Sequence, residues 1–165
     1  MFSAANKINT LEIPRSIFNS TIQNLQENGL EGNEGIAFWT GTLQDATAQI
    51  KNVIFANSYP EFENQELFAR VPLLTSFKIG ELVHQRNEKL FVQIHSHPFE
   101  AFHSFVDNKY PISHKIGFLS VVVPYFGKNV TDLSPCKIYE YLGNGKWKEL
   151  SQKEVSERLV IGEGA

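Results

Sequence analysis

A single cysteine, Cys136, leaves no partner for an intramolecular disulfide, so no disulfide framework holds this chain of 165 residues. That usage fits a reducing compartment. Cys136 opens the stretch CKIYEYL, which reads as a strand, and no neighbour in sequence is placed to activate a thiol. A small buried side chain is expected there. Long apolar runs are also missing. The most apolar stretch, Ile116 to Phe126, is broken by Gly117, Ser120 and Pro124 and is too short to cross a bilayer. Met1 to Ser16 holds no apolar core of signal-peptide length. The expectation is a soluble, cytoplasmic protein with no membrane partner. Positive charge is not in excess either: a formal net charge of −3 gives no electrostatic footprint for nucleic acid.

What is present is ordinary globular composition, 42% hydrophobic and 20% charged, in a length suited to one domain with a real core. Pro14 to Gly29 reads as a helix, with proline in its first turn, glycine at its C-terminal cap, and Ile17, Phe18, Thr21, Ile22 and Leu25 along one face. An acidic loop, Glu31 to Glu34, leads into a strand that runs to Gly41, where the glycine either ends the strand or eases a close backbone approach. Lys51 to Asn57 reads as a second strand buried on both faces, and Ser76 to Arg86 as a second helix weakened by Gly80. His84, on that helix, is read as a solvated or capping residue. Strands follow at Leu90–Ser96 and Ile116–Pro124. A hairpin turns at Gly143-Asn144-Gly145, and Ser151 with Glu154 forms a capping box opening a last helix to about Leu159. The tail from Gly162 is expected to fray. Strands and helices interleave without repeats. One α/β domain spanning 1–165 is expected, with a core at about 14–142, a C-terminal hairpin and helix at 136–160, and five or six strands with helices against the sheet.

The chemistry concentrates in FVQIHSHPFEAFHSFVD, residues 91 to 107. Alternation along the strand puts His95 and His97 on one side of the backbone near its C-terminal end, and Pro98 then stops the ladder. Asp107 follows ten residues later and can return if the intervening loop folds back. Two imidazoles and a carboxylate are three ligands of the kind a catalytic zinc takes, with a fourth position left for water. Each part has a plainer reading. H-x-H pairs occur on exposed strands that bind nothing, and Ser104-Phe-Val-Asp107 also fits a capping box. Their combination directly after an alternating strand favours a site.

His95-Ser96-His97-Pro98 followed by Ser104-x-x-Asp107 resembles the signature of the JAMM (MPN-plus) metallo-isopeptidases, H-[ST]-H-P, a spacer, then S-x-x-D. The resemblance implies a zinc ion on His95, His97 and Asp107, and Ser104 as hydrogen-bond donor to the developing oxyanion. In that family a glutamate seven positions before a glycine takes the proton from the attacking water. Glu34 and Gly41 have that spacing, which makes Glu34 the candidate general base and acid, with Glu31 as its competitor. The implied fold is deaminase-like, a curved mixed β-sheet with helices packed against it.

The match is not complete. Six residues separate His97 from Ser104 where the family more usually has seven, and His103 stands just before the serine. The short spacer, the AFHS segment and the later VVVPYFG look like a bacterial branch that travels with ubiquitin-like proteins and their activating and conjugating enzymes, some in anti-phage systems. The implied activity is therefore hydrolysis of an amide bond at the C-terminus of a ubiquitin-like protein. Two alternatives stand beside it: a silent scaffold on the same fold, or a zinc hydrolase of small amides. The deaminase pattern H-x-E with P-C-x-x-C is absent.

Overall fold

A glycine at residue 41 decides how the sheet is built. A Cβ there would stand 1.9 Å from the Gln49 carbonyl oxygen, so only glycine lets these two backbones approach. Of the two roles foreseen for Gly41, close approach is the one observed, because the strand continues beyond it. The computed structural model describes residues 8–62, 71–102 and 112–163. In chain order the strands are β1 (Thr10–Ile13), β2 (Ile36–Gln44), β3 (Thr47–Phe55), β4 (Lys89–Ser96), β5 (Leu119–Val123), β6 (Lys137–Gly143), β7 (Lys146–Glu149) and β8 (Leu159–Ile161). Among the described residues the α-helices are α1 (Arg15–Leu30), α2 (Leu73–Gln85) and α3 (Gln152–Arg158).

All eight strands form one sheet in the order β7-β6-β5-β4-β2-β3-β1-β8. It is mixed: β4 with β5, β1 with β3 and β1 with β8 run parallel, and the remaining pairs antiparallel. The curved mixed α/β sheet expected from the sequence is the one observed. Its curl shows in Arg158, which reaches Glu140 on β6 and also the Ile8 carbonyl just before β1, near the other end of the strand order. Register shifts opposite Thr40 and Gly41 add to the bend, since a bulged strand twists more strongly.

Local differences from the sequence reading have physical causes. β1 and β8 went unforeseen because four and three residues carry no periodicity, and their strand character comes from distant parallel partners. They raise the expected five or six strands to eight among the described residues. β3 meets both cores only past its bulge, where Val53 and Phe55 pack half-buried on the α1 layer and Ile54 is buried on the α2 layer. The bulge at Lys51 moves the inward side, so that Ile50 packs with the α1 layer and Ile54 with the α2 layer. α1 does not stop at Gly29. It runs one residue further, and Gly32, with φ of 76°, makes the left-handed turn. Gly29 is small for a different reason: a Cβ on it would lie 2.4 Å from the Phe126 Cβ.

The two faces of the sheet carry different cores. On one, α1 lays Phe18, Ile22 and Leu25 over Ala37, Trp39, Val92, Ile94 and Val121. The Trp39 indole N–H donates to the Thr21 hydroxyl at 2.9 Å, so its burial leaves that polar group satisfied. On the other face, α2 contributes Ile79 and Val83 against Ile36, Phe38 and Ile54. Cys136 is buried as expected, and burial pushes its thiol up to about 12, which leaves it protonated and inert. The capping box at α3 forms as read, with the Ser151 hydroxyl accepting from Glu154 N–H and the Glu154 carboxylate accepting from Ser151 N–H.

Candidate metal centre

β4 and β5 run parallel and end together, at Ser96 opposite Val123. His95 lies on the last pair of β4 residues and His97 immediately follows. Both are buried, at 1% and 5% exposure. Their ring centroids are 5.1 Å apart with the planes inclined at 57°. His95 is paired with Ile36 of β2 and with Val122 of β5, which places its side chain on the face that α2 covers.

The backbone around His97 is held from the β5 side. Its N–H donates to the Val123 carbonyl at 2.8 Å, and its own carbonyl accepts from Phe126 N–H at 2.9 Å. Tyr125 N–H donates to the Phe99 carbonyl. Two consecutive non-glycine residues, Tyr125 and Phe126, adopt φ of 51° and 53° to make these bonds. Such conformations cost on the order of 1–3 kcal/mol each and persist where surrounding structure fixes them. Here the fixing element is α1, whose Gly29 leaves room for Phe126. The Phe102 ring meets His97 edge-on at 4.7 Å and is itself half exposed.

Glu34 arrives from the other side. The turn after α1 is tied to the helix end, with Asn33 N–H donating to the Asn28 carbonyl at 3.0 Å. Gly35 then bonds to Ser96 in both directions: Gly35 N–H donates to the Ser96 hydroxyl at 2.9 Å, and Ser96 N–H donates to the Gly35 carbonyl at 3.1 Å. With Ile36 opposite His95, the same register carries Glu34 to the level of His97, and alternation puts it on the face of the two imidazoles. Glu34 is buried to 9% exposure, whereas the competitor Glu31 is exposed at the C-cap of α1.

Ser104 and Asp107, and with them His103, lie outside the described residues. Among the described residues no three His, Cys, Asp or Glu side chains are grouped to hold a metal ion. The two imidazoles nonetheless fit one. A zinc about 2.0–2.1 Å from a nitrogen of each ring, at a roughly tetrahedral angle, sets the ring centroids about 5 Å apart. The observed 5.1 Å meets that requirement. His84, set aside in the sequence, is exposed on α2.

No family model matches the chain. A curated relative, "Probable metalloprotease y4jG" of Sinorhizobium fredii, is 28% identical over 159 residues, which cover 96% of this chain and 98% of that protein. The solution structure of protein DSY2949 from Desulfitobacterium hafniense shares the fold, with a TM-score of 0.67 over 94% of each chain at 11% identity. AF2198, a JAB1/MPN domain protein from Archaeoglobus fulgidus, aligns at a TM-score of 0.49 and 19% identity over 90% of this chain and 98% of that one. The resemblance to the JAMM/MPN family carried by the H-S-H-P and S-x-x-D motif is supported by the first of these, a probable metalloprotease spanning nearly the whole of both chains. No helix among the described residues is long and apolar enough to cross a membrane.

Proposed function

We propose that this chain is a zinc metallopeptidase that hydrolyses the amide bond at the C-terminus of a ubiquitin-like protein. The observation that carries the hydrolase reading is the pair of buried imidazoles at the carboxyl ends of β4 and β5, their ring centroids 5.1 Å apart, with the strand register carrying the buried Glu34 to the level of His97. A buried carboxylate beside two buried imidazoles on one face is the arrangement a metal-assisted hydrolase needs. The ubiquitin-like substrate, its activating and conjugating enzymes as partners, and a place in anti-phage defence are supported by the motif and its short spacer alone.

His95, His97 and Asp107 would hold the zinc, which when bound supplies Lewis-acid chemistry, acidifying water and polarising a carbonyl. Glu34 accepts the proton from the attacking water and passes it to the nitrogen of the departing amine, acting first as base and then as acid. Ser104 donates a hydrogen bond to the oxygen on which negative charge develops. Backbone bonds to Val123 and Phe126 fix the His97 main chain, and the Phe102 ring packs edge-on against its imidazole.

The test is cleavage of a ubiquitin-like fusion by the zinc-loaded protein and by Glu34→Gln. Loss of a proton carrier should lower kcat by about 10²–10⁴-fold while zinc is retained. Undiminished cleavage by Glu34→Gln would remove the assignment.

A further inference from the structure

The chemistry above uses both histidines of His95-Ser96-His97 and leaves the residue between them without a role. Ser96 is fully buried, and alternation turns its side chain away from the imidazoles. In a continuing antiparallel ladder, Gly35 N–H would be taken by the Ser96 carbonyl. Here the ladder stops short, because β4 hands its next residue to β5 through the His97 N–H to Val123 bond. The Ser96 hydroxyl takes the place of the missing rung, accepting from Gly35 N–H at 2.9 Å. On that same face Gly35 is pressed by α1. A Cβ there would lie 2.8 Å from Leu25 Cδ2 and 3.3 Å from Asn28 Nδ2. The Glu34–Gly35 peptide is thus held by one hydroxyl group and by the helix packed on the same face.

We propose that Ser96 is a positioning residue for Glu34, its hydroxyl fixing the Gly35 amide and with it the reach of the Glu34 carboxylate toward the reacting groups. This rests on Glu34 being the proton carrier. Ser96 thereby couples the two halves of the centre, which come from segments 61 residues apart. The histidines do not depend on this bond, since β5 and its following turn hold them.

The experiment compares Ser96→Ala and Ser96→Thr in the full zinc-loaded chain, reading kcat and KM on a ubiquitin-like fusion, zinc content, and hydrogen exchange at the Gly35 amide by NMR. Ser96→Ala should lower kcat about 10- to 100-fold, the effect of a reacting group displaced by roughly an ångström. KM and zinc content should hold, and the Gly35 amide should exchange faster. Ser96→Thr keeps the hydroxyl and should restore both kcat and protection. If Ser96→Ala does not fold, Ser96→Cys keeps the volume while weakening the acceptor and should show the same kcat loss and faster exchange. Wild-type kcat in the folded variant, zinc lost together with kcat, or a folded Ser96→Thr no better than Ser96→Ala would each overturn the proposal. Glu34→Gln separates the two ideas. Activity kept by Glu34→Gln removes the proton-carrier reading itself, whereas a dead Glu34→Gln beside an unaffected Ser96→Ala removes only the role of Ser96.

Discussion

The two faces of the sheet are unequal, and the inequality locates the function. Among the described residues, the α1 face joins twenty-two buried residues into one core and the α2 face only seven. The larger face is apolar along its length and secures the fold. The smaller one gives way at the ends of β2 and β4 to Glu34, His95 and His97, polar groups that would be costly to bury without partners. The same strands serve both faces, because alternation sends Val92 and Ile94 into one core and His95 to the other. A site built this way inherits its rigidity from the apolar face behind it.

That division predicts separable effects. The largest belongs to the α1 face. Trp39→Ala empties the centre of the larger core and should cost about 3–5 kcal/mol in a urea titration, yet the fraction that stays folded should retain its zinc. A variant that loses zinc while still folded would show that the faces are not independent. Gly29→Ala comes next, at about 1–3 kcal/mol from overpacking against Phe126. Because Phe126 N–H holds the His97 carbonyl, zinc affinity should fall with stability, and a wild-type affinity would contradict the link drawn between α1 and the centre.

Smaller effects lie away from the site. Lys148 and the cap of α3 hold the Glu154 carboxyl down to about 2 from 4.5. A depressed carboxylate stabilises fully above pH 4.5 and loses that contribution as pH falls toward 2, so Glu154→Gln should flatten the acid limb of a stability-against-pH curve. An unchanged limb would deny the cap this role. The smallest effect is a gain. Gly80 sits in α2 with open space where a Cβ would go, and Gly80→Ala should add about 0.5–1 kcal/mol with zinc content unchanged.

The parts of this molecule that local chemistry dictates were readable in the sequence. Ser151 and Glu154 cap a helix, Gly143-Asn144-Gly145 turns a hairpin, and a strand runs up to Ser96 before Pro98, although a bulge at Phe91 breaks its alternation and puts Phe91 in the α1 core beside Val92 and Ile94. Gly41 was legible as a point of close backbone approach, and its neighbour there is Gln49 on β3. What stayed hidden depends on distant partners. β1 exists because Leu11 lies between Ala48 and Leu159, and the face switch in β3 needs a bulge whose opposite strand must be known. Gly29 read as a cap because nothing in the sequence places Phe126 beside it. The role of Ser96 was not legible, because its hydroxyl meets a segment 61 residues away. Its signal is a hydroxyl at the strand's last residue, next to the point where the ladder changes partner.

The central claim is that the polar end of the smaller face is a metal centre on His95 and His97. The direct measurement is zinc bound per chain, by elemental analysis after equilibration with zinc and removal of excess, for the wild type and for the double variant His95→Ala, His97→Ala. About one equivalent in the wild type and none in the folded double variant is the expected result. A wild type that takes up no zinc, or a double variant that keeps its full equivalent, would contradict the account.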